Sequence, residues 1–421
     1  MIRAVKGTRD ILPPSSDLWN LVEWKAREVF RTSNYHEIRT PIFEETLLFA
    51  RGVGVETDIV SKEMYTFEDR DGASLTLRPE CTASVMRAYI EHRLDQQAGL
   101  AKLFYMGPMF RRERPQKGRF RQFYQIGAEA IGSESPAVDA EVIELAVSIL
   151  GQAGLQGFLL LVNSVGCAEC RPRFVARLRE ELRKVAPTLC ADCQRRVETN
   201  PLRVLDCKVE ADQPAIDRLP SILDHLCAEC SAHFASVERH LSDRDIPFTV
   251  RPRLVRGLDY YTRTTFEITH GALGAQNSVL GGGRYDGLAE ALGSKVRAPG
   301  IGFSIGEDRL IMTLEEKAAG AGVAGLDLYI APLGEGAVRQ AAALARDLRA
   351  RGKSVELGID SKLRRSLELA NKLGARFTAI LGDSELAAGN YQLKTMATGE
   401  QQTVTREELF ERLGLKVEHA G

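Results

Sequence analysis

The chain has 421 residues, of which 44% are hydrophobic, and its 56 lysines and arginines nearly balance 57 aspartates and glutamates. This length predicts roughly two to four domains, the hydrophobic content excludes disorder over most of the chain, and the balanced charge means that only local patches can indicate a polyanionic partner. The charged amino terminus and the lack of an apolar run of about 18 residues predict a soluble, cytoplasmic protein with no membrane partner.

The first section of the chain alternates helix-like and strand-like stretches. Apolar residues at helical spacing predict a helix over residues 17–32, and an apolar run predicts a buried strand over residues 100–110. Strand-like runs return at residues 248–255 and 265–269, after a region of different composition. We therefore predict one α/β core that is interrupted by an insertion at residues 166–245.

The insertion is distinguished by three Cys-x-x-Cys pairs and by helical periodicity at residues 173–185 and 219–241. Its cysteines are Cys167 and Cys170, Cys190 and Cys193, Cys207, and Cys227 and Cys230. The first two pairs are separated by the spacing of a zinc ribbon, but reduced cytoplasmic thiols often pack as small hydrophobic side chains. We predict no bound metal, with a structural zinc as the alternative, and we predict that His225 and His233 lie on a helix surface.

A small, polar stretch at residues 315–325 predicts a linker. Beyond it, the pattern predicts strands and helices in alternation, at residues 326–332, 338–351, 354–357, 362–374 and 377–381. Residues 326–421 are therefore predicted to form a small α/β domain of their own.

The densest basic segment is residues 110–124. Six cations surround Glu113 there, namely Arg111, Arg112, Arg114, Lys117, Arg119 and Arg121. Turn residues at the centre and apolar flanks predict two strands joined by a basic loop, whose arginines suit phosphate and whose Phe123 suits stacking on a base. The alternative is a solvated charged hairpin. Gln125 and Glu129 follow within the second strand, where buried polar groups need partners, and this favours a binding site.

A second candidate site is residues 256–267, where Arg256, Asp259, Tyr260 and Tyr261 crowd a turn that enters a strand. A permanent cation and two tyrosines suit a pocket for a polar ligand with an anionic end. The alternative is a structural Arg–Asp pair with packed tyrosines.

Two glycine-rich segments follow, at residues 281–286 and 300–309. The second lacks the spacing of a dinucleotide fingerprint, so we interpret it as a strand whose glycines admit a flat ligand, leading into a helix with Arg309 near its start. The chain has no G-x-x-x-x-G-K-[ST] loop, so side chains must hold the phosphates of any nucleotide.

Taken together in chain order, these motifs resemble those of one family. They are residues 6–10 (KGTRD), 39–41 (RTP), 77–82 (LRPECT), 110–129, 256–261 (RGLDYY), 281–286 (GGGRYD) and 302–309. As a set they resemble the histidyl-tRNA synthetases, a family of class II aminoacyl-tRNA synthetases. The resemblance implies an α+β catalytic core at residues 1–325, an antiparallel sheet flanked by helices with a mainly helical insertion, an α/β anticodon-binding domain at residues 326–421, and a homodimer.

The resemblance also implies a reaction, the ATP-dependent attachment of L-histidine to histidine tRNA. The histidine carboxylate would attack the α-phosphorus of ATP, giving histidyl-adenylate and pyrophosphate, and a tRNA hydroxyl would then displace AMP. Magnesium is expected on the outer phosphates of ATP. The alternatives are a regulatory, non-catalytic paralogue that serves histidine biosynthesis and a plain nucleotide-binding scaffold.

The same resemblance assigns roles to particular residues. Arg256 and Arg111 would be catalytic, as fixed cations on either side of the α-phosphate. The histidine-binding residues would be Glu80, Cys81, Thr82, Arg111, Gln125, Glu129, Arg256, Tyr260, Tyr261 and Tyr285. The ATP-binding residues would be Arg111, Glu113, Phe123 and Arg309, and the tRNA-binding residues Gln116, Arg114, Lys117 and Arg119. The anticodon would be read through Lys353, Lys362, Arg364, Arg365 and Lys372. At Cys81 and Asp308, where the family usually has a small residue and a glutamate, we expect altered packing rather than lost activity.

Overall fold

The protein is described by a computed structural model, which covers residues 2–55, 57–116, 118–317, 325–359 and 362–416. The chain divides into two compact units, residues 1–319 and 320–421. Lys117 and most of the predicted linker lie outside the described residues.

The first unit contains a large and a small β-sheet. Its strands are β1 (His36–Glu37), β2 (Phe43–Glu45), β3 (Tyr65–Glu68), β4 (Ser74–Leu77), β5 (Ala101–Phe110), β6 (Gln122–Ile131), β7 (Leu159–Ser164), β8 (Thr249–Val250), β9 (Thr262–Thr269), β10 (Ser278–Arg284) and β11 (Gly300–Gly306). The large sheet has eight strands in the order β1-β5-β6-β11-β10-β9-β7-β8, and β2, β4 and β3 form the small one. The five strands from β5 to β9 in that order pair antiparallel, as the class II resemblance implies.

The helices of the first unit contribute to several hydrophobic cores. They are α1 (Ser15–Thr32), α2 (Thr46–Val53), α3 (Thr82–Glu91), α4 (Pro136–Gln152), α5 (Cys170–Val185), α6 (Ala191–Thr199), α7 (Gln213–Ile216), α8 (Ala228–Ser242), α9 (Leu288–Ala291) and α10 (Glu307–Lys317). The helix predicted over residues 17–32 is confirmed as α1, which buries Trp19, Val22, Ala26 and Phe30 at helical spacing. The same core takes side chains from α4, α8 and α10.

The insertion differs from the prediction at its carboxyl-terminal end. The helix predicted over residues 219–241 begins only at Ala228, because Pro220 interrupts it and Ser221 caps a short 3-10 turn instead. Phe234 of α8 then packs in the core of the large sheet, whereas α5 and α6 share a separate core. The strand predicted over residues 248–255 shrinks to β8, since Pro252 has no N–H to donate.

His233 also corrects a prediction, because it is buried rather than on a helix surface. Only 8% of His233 is exposed, and its Nε2 lies 3.5 Å from a carboxylate oxygen of the fully buried Asp139. Burial, together with the nearby Arg284 and Arg263, lowers the pKa of His233 to about 4. The histidine is therefore a neutral core residue at physiological pH.

The second unit is an α/β domain, as the pattern predicts. Its elements are β12 (Leu328–Pro332), α11 (Glu335–Ala350), β13 (Val355–Leu357), α12 (Leu363–Lys372), β14 (Phe377–Leu381), α13 (Asp383–Ala388), β15 (Tyr391–Thr395), β16 (Gln401–Val404) and α14 (Arg406–Arg412). The sheet order is β13-β12-β14-β15-β16, and the pattern missed the last two strands, which are mostly polar outside Leu393 and Val404. Among the described residues of both units, no helix has the length and apolar character to span a bilayer.

Candidate active site

A cavity of about 190 Å³ lies against strands β5, β6, β10 and β11 of the large sheet. The strand pair β5 and β6 is the predicted basic hairpin, with Phe110 opposite Gln122 at its end. The polar and aromatic side chains that line the cavity include Glu80, Thr82, Tyr105, Arg111, Glu113, Arg119, Phe123, Gln125, Arg256, Tyr260, Tyr261, Tyr285, Asp308 and Arg309. Segments far apart in the chain therefore meet at one site.

Cations from three segments reach this cavity. They are Arg111, Arg119, Arg256 and Arg309. Arg119 Nη1 lies 2.9 Å from a carboxylate oxygen of Glu113, and Arg309 donates to the carbonyls of Gly118 and Ser278 at 3.1 and 2.8 Å. Burial and the charge of Arg119 lower the pKa of Arg309. Such a concentration of fixed positive charge suits a polyanionic ligand.

Arg111 is held between the backbone and an aromatic ring. Its Nε donates to the carbonyl of Pro79 at 2.9 Å, and its guanidinium carbon lies 5.2 Å from the centroid of the Phe123 ring. A guanidinium fixed on both sides loses little further conformational freedom when it binds an anion. Arg111 is thus preorganised for a charge in the cavity.

Arg256 is paired with Glu267 of strand β9, its partner in a partly buried ion pair. Burial would lower the pKa of Arg256, but Glu267 and the neighbouring tyrosines raise it overall. Strand β10 leaves room for the guanidinium because residue 281 is glycine, where a Cβ atom would lie only 1.8 Å from Arg256 Nη2. The glycine-rich segment thus makes space for a buried charge.

Glu129 is the fully buried centre of a hydrogen-bond network beside the cavity. Its carboxylate accepts hydrogen bonds from Thr82 Oγ1 at 2.7 Å and from the Tyr285 hydroxyl at 2.6 Å. Gly302 of β11 gives it space, since a Cβ there would come within 1.7 Å of Glu129 Oε2. Burial raises the pKa of Glu129 to about 8, although the hydrogen bonds from Tyr285 and Thr82 lower it in part.

Glu80 and Cys81 lie at the start of α3. The Glu80 carboxylate accepts the backbone N–H groups of Thr82 and Ala83 at 2.8 and 2.9 Å, and so satisfies the helix end. Burial raises the pKa of Glu80. Cys81 is buried, its sulfur lies 3.4 Å from Thr40 Oγ1, and it is not among the residues that line the cavity. A small side chain suits this position because it packs behind the site.

Asp308 ties two distant segments to the start of α10. One carboxylate oxygen accepts from Arg9 Nη2 at 2.8 Å, and the other accepts from the Tyr124 backbone N–H at 2.8 Å. The aspartate therefore keeps a carboxylate at this family position and uses it to hold the edge of the cavity together. Burial raises the pKa of Asp308, and the Tyr124 N–H and Arg9 lower it in part.

Two of the buried polar atoms at the cavity for which the described part of the chain gives no hydrogen-bond partner belong to Gln125 and Arg256. They are the side-chain oxygen of Gln125 and Nε of Arg256. Both residues line the cavity. A ligand with a donor for Gln125 and an acceptor for Arg256 would satisfy both atoms, and an α-amino acid has these two groups side by side.

The predicted site residues fall into three groups. Most of the histidine- and ATP-binding residues line the cavity, whereas Glu129 reaches it through the hydroxyls it binds and Cys81 lies behind it. Arg119, predicted for tRNA, also lines the cavity, and Arg114 and Gln116 are exposed on the loop. Lys117 lies outside the described residues.

Sequence reasoning missed two residues of the site. Glu267 forms an ion pair with Arg256. It lies two residues after Thr265, so the side chains of these two residues are on the same face of β9, and this alternation is visible in the sequence. Tyr105 lies across from Gly127, where a Cβ would come within 2.3 Å of the ring. That glycine in a buried strand is a second signal, because it marks a close approach.

The spacing behind the zinc alternative joined the first two Cys-x-x-Cys pairs, and the structure does not bring those two pairs together. The first Cys-x-x-Cys pair lies with the third pair rather than with the second, so the sulfurs that approach one another are those of Cys167, Cys170, Cys227 and Cys230. Cys190 and Cys193 lie with Cys207 and Asp212. The first group meets at the starts of α5 and α8, across an interval that sequence spacing does not reveal.

An antiparallel sheet that carries this arginine-rich hairpin, and a strand leading into a helix with its own arginine, define the protein as a class II aminoacyl-tRNA synthetase. A family model described as Histidyl-tRNA synthetase matches residues 7–310, and one described as Anticodon binding domain matches residues 327–414. The chain therefore belongs to the histidyl-tRNA synthetase family.

Relatives with this name match almost the whole chain. The histidine–tRNA ligase of Solibacter usitatus is 71% identical over 98% of this chain and 99% of its own length. That of Koribacter versatilis is 58% identical over 97% of this chain and 95% of its own. The crystal structure of apo histidyl-tRNA synthetase from S. aureus is similar with a TM-score of 0.81 and 40% identity, covering 98% of this chain and 100% of that one.

These findings confirm the resemblance seen in the sequence, including the fold class. Charging of tRNA with histidine through an adenylate is the reaction of this family, and the chain is an enzyme of that kind. The alternatives of a regulatory paralogue and of a plain nucleotide-binding scaffold are not supported.

Proposed function

We propose that Arg111 and Arg256 are the cations that stabilise histidine activation in this enzyme. Negative charge builds up on the α-phosphoryl group when the histidine carboxylate attacks it, and charges fixed beforehand are the strongest stabilisers of such a transition state. The observation that carries this proposal is the convergence of both partly buried guanidinium groups on one cavity, each already oriented, Arg111 by the Pro79 carbonyl and Arg256 by Glu267.

We assign recognition of the imidazole to Glu129 and Tyr261, with Tyr260 and Tyr285 closing the pocket. Glu129 is supported by its burial and by its hydroxyl partners, which hold the carboxylate in one orientation. An amino acid without two ring nitrogens would leave these buried groups unpaired, which supports discrimination on the order of 10⁴. Such discrimination needs no editing step.

The α-amino group of histidine is assigned to Glu80, Thr82 and Gln125. Both oxygens of Glu80 are already used by backbone N–H groups, so its contribution is negative charge near the ammonium. Gln125 offers its unpartnered oxygen as an acceptor. Cys81 contributes packing behind these groups.

The ATP is assigned to Arg111, Glu113, Phe123 and Arg309. Phe123 lines the cavity and suits stacking on adenine, and Arg309 suits the outer phosphates. The carboxylates that line the described cavity, those of Glu80, Glu113 and Asp308, each already have an N–H or guanidinium partner. We therefore propose that magnesium arrives on the phosphates of ATP and is not held by a dedicated protein site.

The tRNA is assigned to two regions, the hairpin loop and the carboxyl-terminal domain. The exposed side chains of Arg114 and Gln116 suit the acceptor end, and Arg119 joins this loop to the cavity. Exposed cations on α12, including Arg364 and Lys372, suit the anticodon backbone. The boundaries proposed for these roles are residues 1–325 for catalysis and 326–421 for the anticodon.

A homodimer is proposed through the small sheet. Apolar side chains are exposed there and on α2, with Phe43 52%, Phe67 45% and Leu47 50% exposed. These follow the RTP segment that the family resemblance assigns to the dimer interface. Apolar patches of this kind are typical of surfaces that become buried on association. The cytoplasmic location likewise remains a prediction.

The test of the assigned activity is ATP–pyrophosphate exchange in the presence of histidine. We expect exchange with histidine and none above background with glutamine or asparagine, whose amides do not present two ring nitrogens. Exchange with glutamine at a rate close to that with histidine would contradict the assignment of Glu129 and Tyr261 to the imidazole.

A further inference from the structure

Seven of the eight cysteines lie in the insertion and form two separate groups. The remaining one, Cys81, lies at the start of α3. In each group the potential ligand atoms all lie within 4.8 Å of one another. Packing alone does not require so many thiols to meet at two points, since a small apolar side chain would fill the same space.

The first group, which we call the base cluster, is formed by Cys167, Cys170, Cys227 and Cys230. Cys167 Sγ lies 3.3 Å from Cys170 Sγ and 3.9 Å from Cys227 Sγ. The backbone N–H groups of Glu169 and Cys227 point at sulfurs of the cluster, each at 3.4 Å. Donors aimed at sulfur are the partners that a bound thiolate needs.

The second group, which we call the inner cluster, is formed by Cys190, Cys193, Cys207 and Asp212. Cys207 Sγ lies 3.2 Å from an Asp212 oxygen and 4.0 Å from Cys190 Sγ. Asp212 is only 2% exposed, and its two oxygens accept the Cys190 N–H at 3.0 and 3.1 Å. A carboxylate buried among thiols needs a compensating positive charge, and the backbone N–H supplies only part of it.

These separations fit one kind of occupant. Four sulfurs bound tetrahedrally to one zinc ion, with Zn–S of about 2.3 Å, lie about 3.8 Å apart. A disulfide would need sulfurs about 2 Å apart, and all eight cysteines are free. An iron–sulfur cluster places its own iron and sulfide between the thiolates, and so holds them farther apart than a single ion does.

We propose that the insertion binds two structural zinc ions, one in the base cluster through four thiolates and one in the inner cluster through three thiolates and Asp212. Both sites have four protein ligands, which is typical of structural rather than catalytic zinc. The proposal replaces the prediction of a chain without metal, and it rests on the cysteine grouping rather than on the synthetase activity.

The base cluster has a particular place in the insertion. It joins the start of α5 to the start of α8, so the part of the insertion between these two helix ends forms a loop that is closed at this one point. Arg171 follows directly after the ligand Cys170, and its Nη1 donates to the carbonyls of Asp259 and Tyr261, both at 3.1 Å. The base-cluster zinc therefore fixes the helix end from which Arg171 holds residues 256–261, the segment that we call the histidine-binding loop. Arg171 is a positioning residue.

The direct test is the metal content of the full chain, produced without a metal-binding tag and measured by elemental mass spectrometry. We expect two zinc atoms per chain. Cys227→Ser and Cys207→Ser should each retain one, and Cys81→Ser, the matched control, should retain two. Iron in place of zinc, or no metal with all eight thiols freely reactive, would overturn the proposal.

A second measurement on the unchanged protein covers the case in which a variant fails to fold. Stepwise titration of the native protein with an organic mercurial should release two zinc ions as the cluster thiols react, which a zinc-binding dye detects. Release of one ion would support one zinc site and overturn the other. The cysteines that react as the ion is released would identify the supported site. Reaction of the thiols without release of zinc would overturn both.

Discussion

The catalytic cavity and the insertion both bring distant polar side chains together, but different parts of the fold hold them in place. In the cavity, Arg9 meets Asp308 and Thr82 meets Glu129, contacts that the large sheet makes across long intervals. In the insertion, the thiols of the base cluster meet at the starts of α5 and α8, and Cys193 and Cys207 lie in the small core that α5 and α6 share. The cavity is thus organised by the sheet, whereas the insertion lacks such a scaffold and, by our proposal, uses metal ions in its place.

The largest effect on activity is expected when a charge at the cavity is removed. Arg256→His should slow histidine-dependent pyrophosphate exchange by roughly 10²–10³-fold, because it removes a fixed cation from the transition state. The KM for histidine should change far less. Arg31→His, exposed on α1 and paired with Glu28, is the control and should exchange at the parental rate. An Arg256→His enzyme with parental exchange would show that this guanidinium has no role in activation.

A second change tests the network that the sheet holds around Glu129. At pH 9, above the pKa of Glu129, Glu129→Gln should raise the KM for histidine by about 10–100-fold, the loss expected when a hydrogen bond to a charged group is removed. Thr82 and Tyr285 can still bind the amide, so the fold should remain. If the KM for ATP rises in place of that for histidine, Glu129 faces the other substrate.

The same variant should change stability with a definite dependence on pH. The pKa of Glu129 is about 8 in the folded protein against an ordinary 4.5. Between these values the folded state keeps a proton that the unfolded chain has lost, so stability falls as pH rises through that window and is constant above it. Glu129→Gln should therefore raise Tm at pH 8.5 by roughly 2–4 °C, the shift for about 1 kcal/mol, and leave Tm unchanged near pH 4.5. An equal shift at both pH values would contradict the raised pKa.

A third change tests whether the insertion reaches the cavity through Arg171. Arg171→Ala should raise the KM for histidine about 5–10-fold, because two hydrogen bonds to the histidine-binding loop are lost, and leave the KM for ATP unchanged. Arg171→Lys should recover part of the loss. Arg173→Ala, exposed on the same helix, is the control. A general fall in kcat without a change in the KM for histidine would indicate a loss of folded protein instead.

The smallest expected effect lies in the exposed loop of the hairpin. The family resemblance implies that histidine tRNA has an extra guanosine at its 5′ end. Gln116→Ala should reduce the preference for a tRNA with this nucleotide by about 2–5-fold, the loss of one exposed hydrogen bond. Pyrophosphate exchange should be unaffected, since Gln116 does not line the cavity. Gln97→Ala, also exposed, is the matched control. Loss of exchange in Gln116→Ala would assign the loop to ATP binding.

How much could be predicted from the sequence differs between the two regions. In the cavity, the motifs contain the residues to which we assign the chemistry, and Arg111, Arg256 and Arg309 do line one cavity. Glu267 and Tyr105 were missed because their roles depend on which strand lies beside them. Register decides such neighbours, and the sequence alone does not give it.

In the insertion, the motifs are visible in the sequence but the way in which they meet is not. The Cys-x-x-Cys pairs are plain in the sequence, but the spacing joined the first pair to the second, and the structure joins it to the third. The ends of α5 and α8 bring these pairs together through packing of the intervening helices. Pro220 and Pro252 likewise shorten a predicted helix and a predicted strand. The periodicity of apolar residues does not take account of proline.

The bond between Arg9 and Asp308 has a consequence for synthesis on the ribosome. The two residues are 299 positions apart, so the edge of the cavity cannot close until nearly all of the first unit has been translated. At about 5–20 residues per second, roughly 15–60 s separate the synthesis of Arg9 from that of Asp308. Throughout that time the amino-terminal segment lacks its carboxylate partner, and the nascent chain cannot yet assemble a complete nucleotide site.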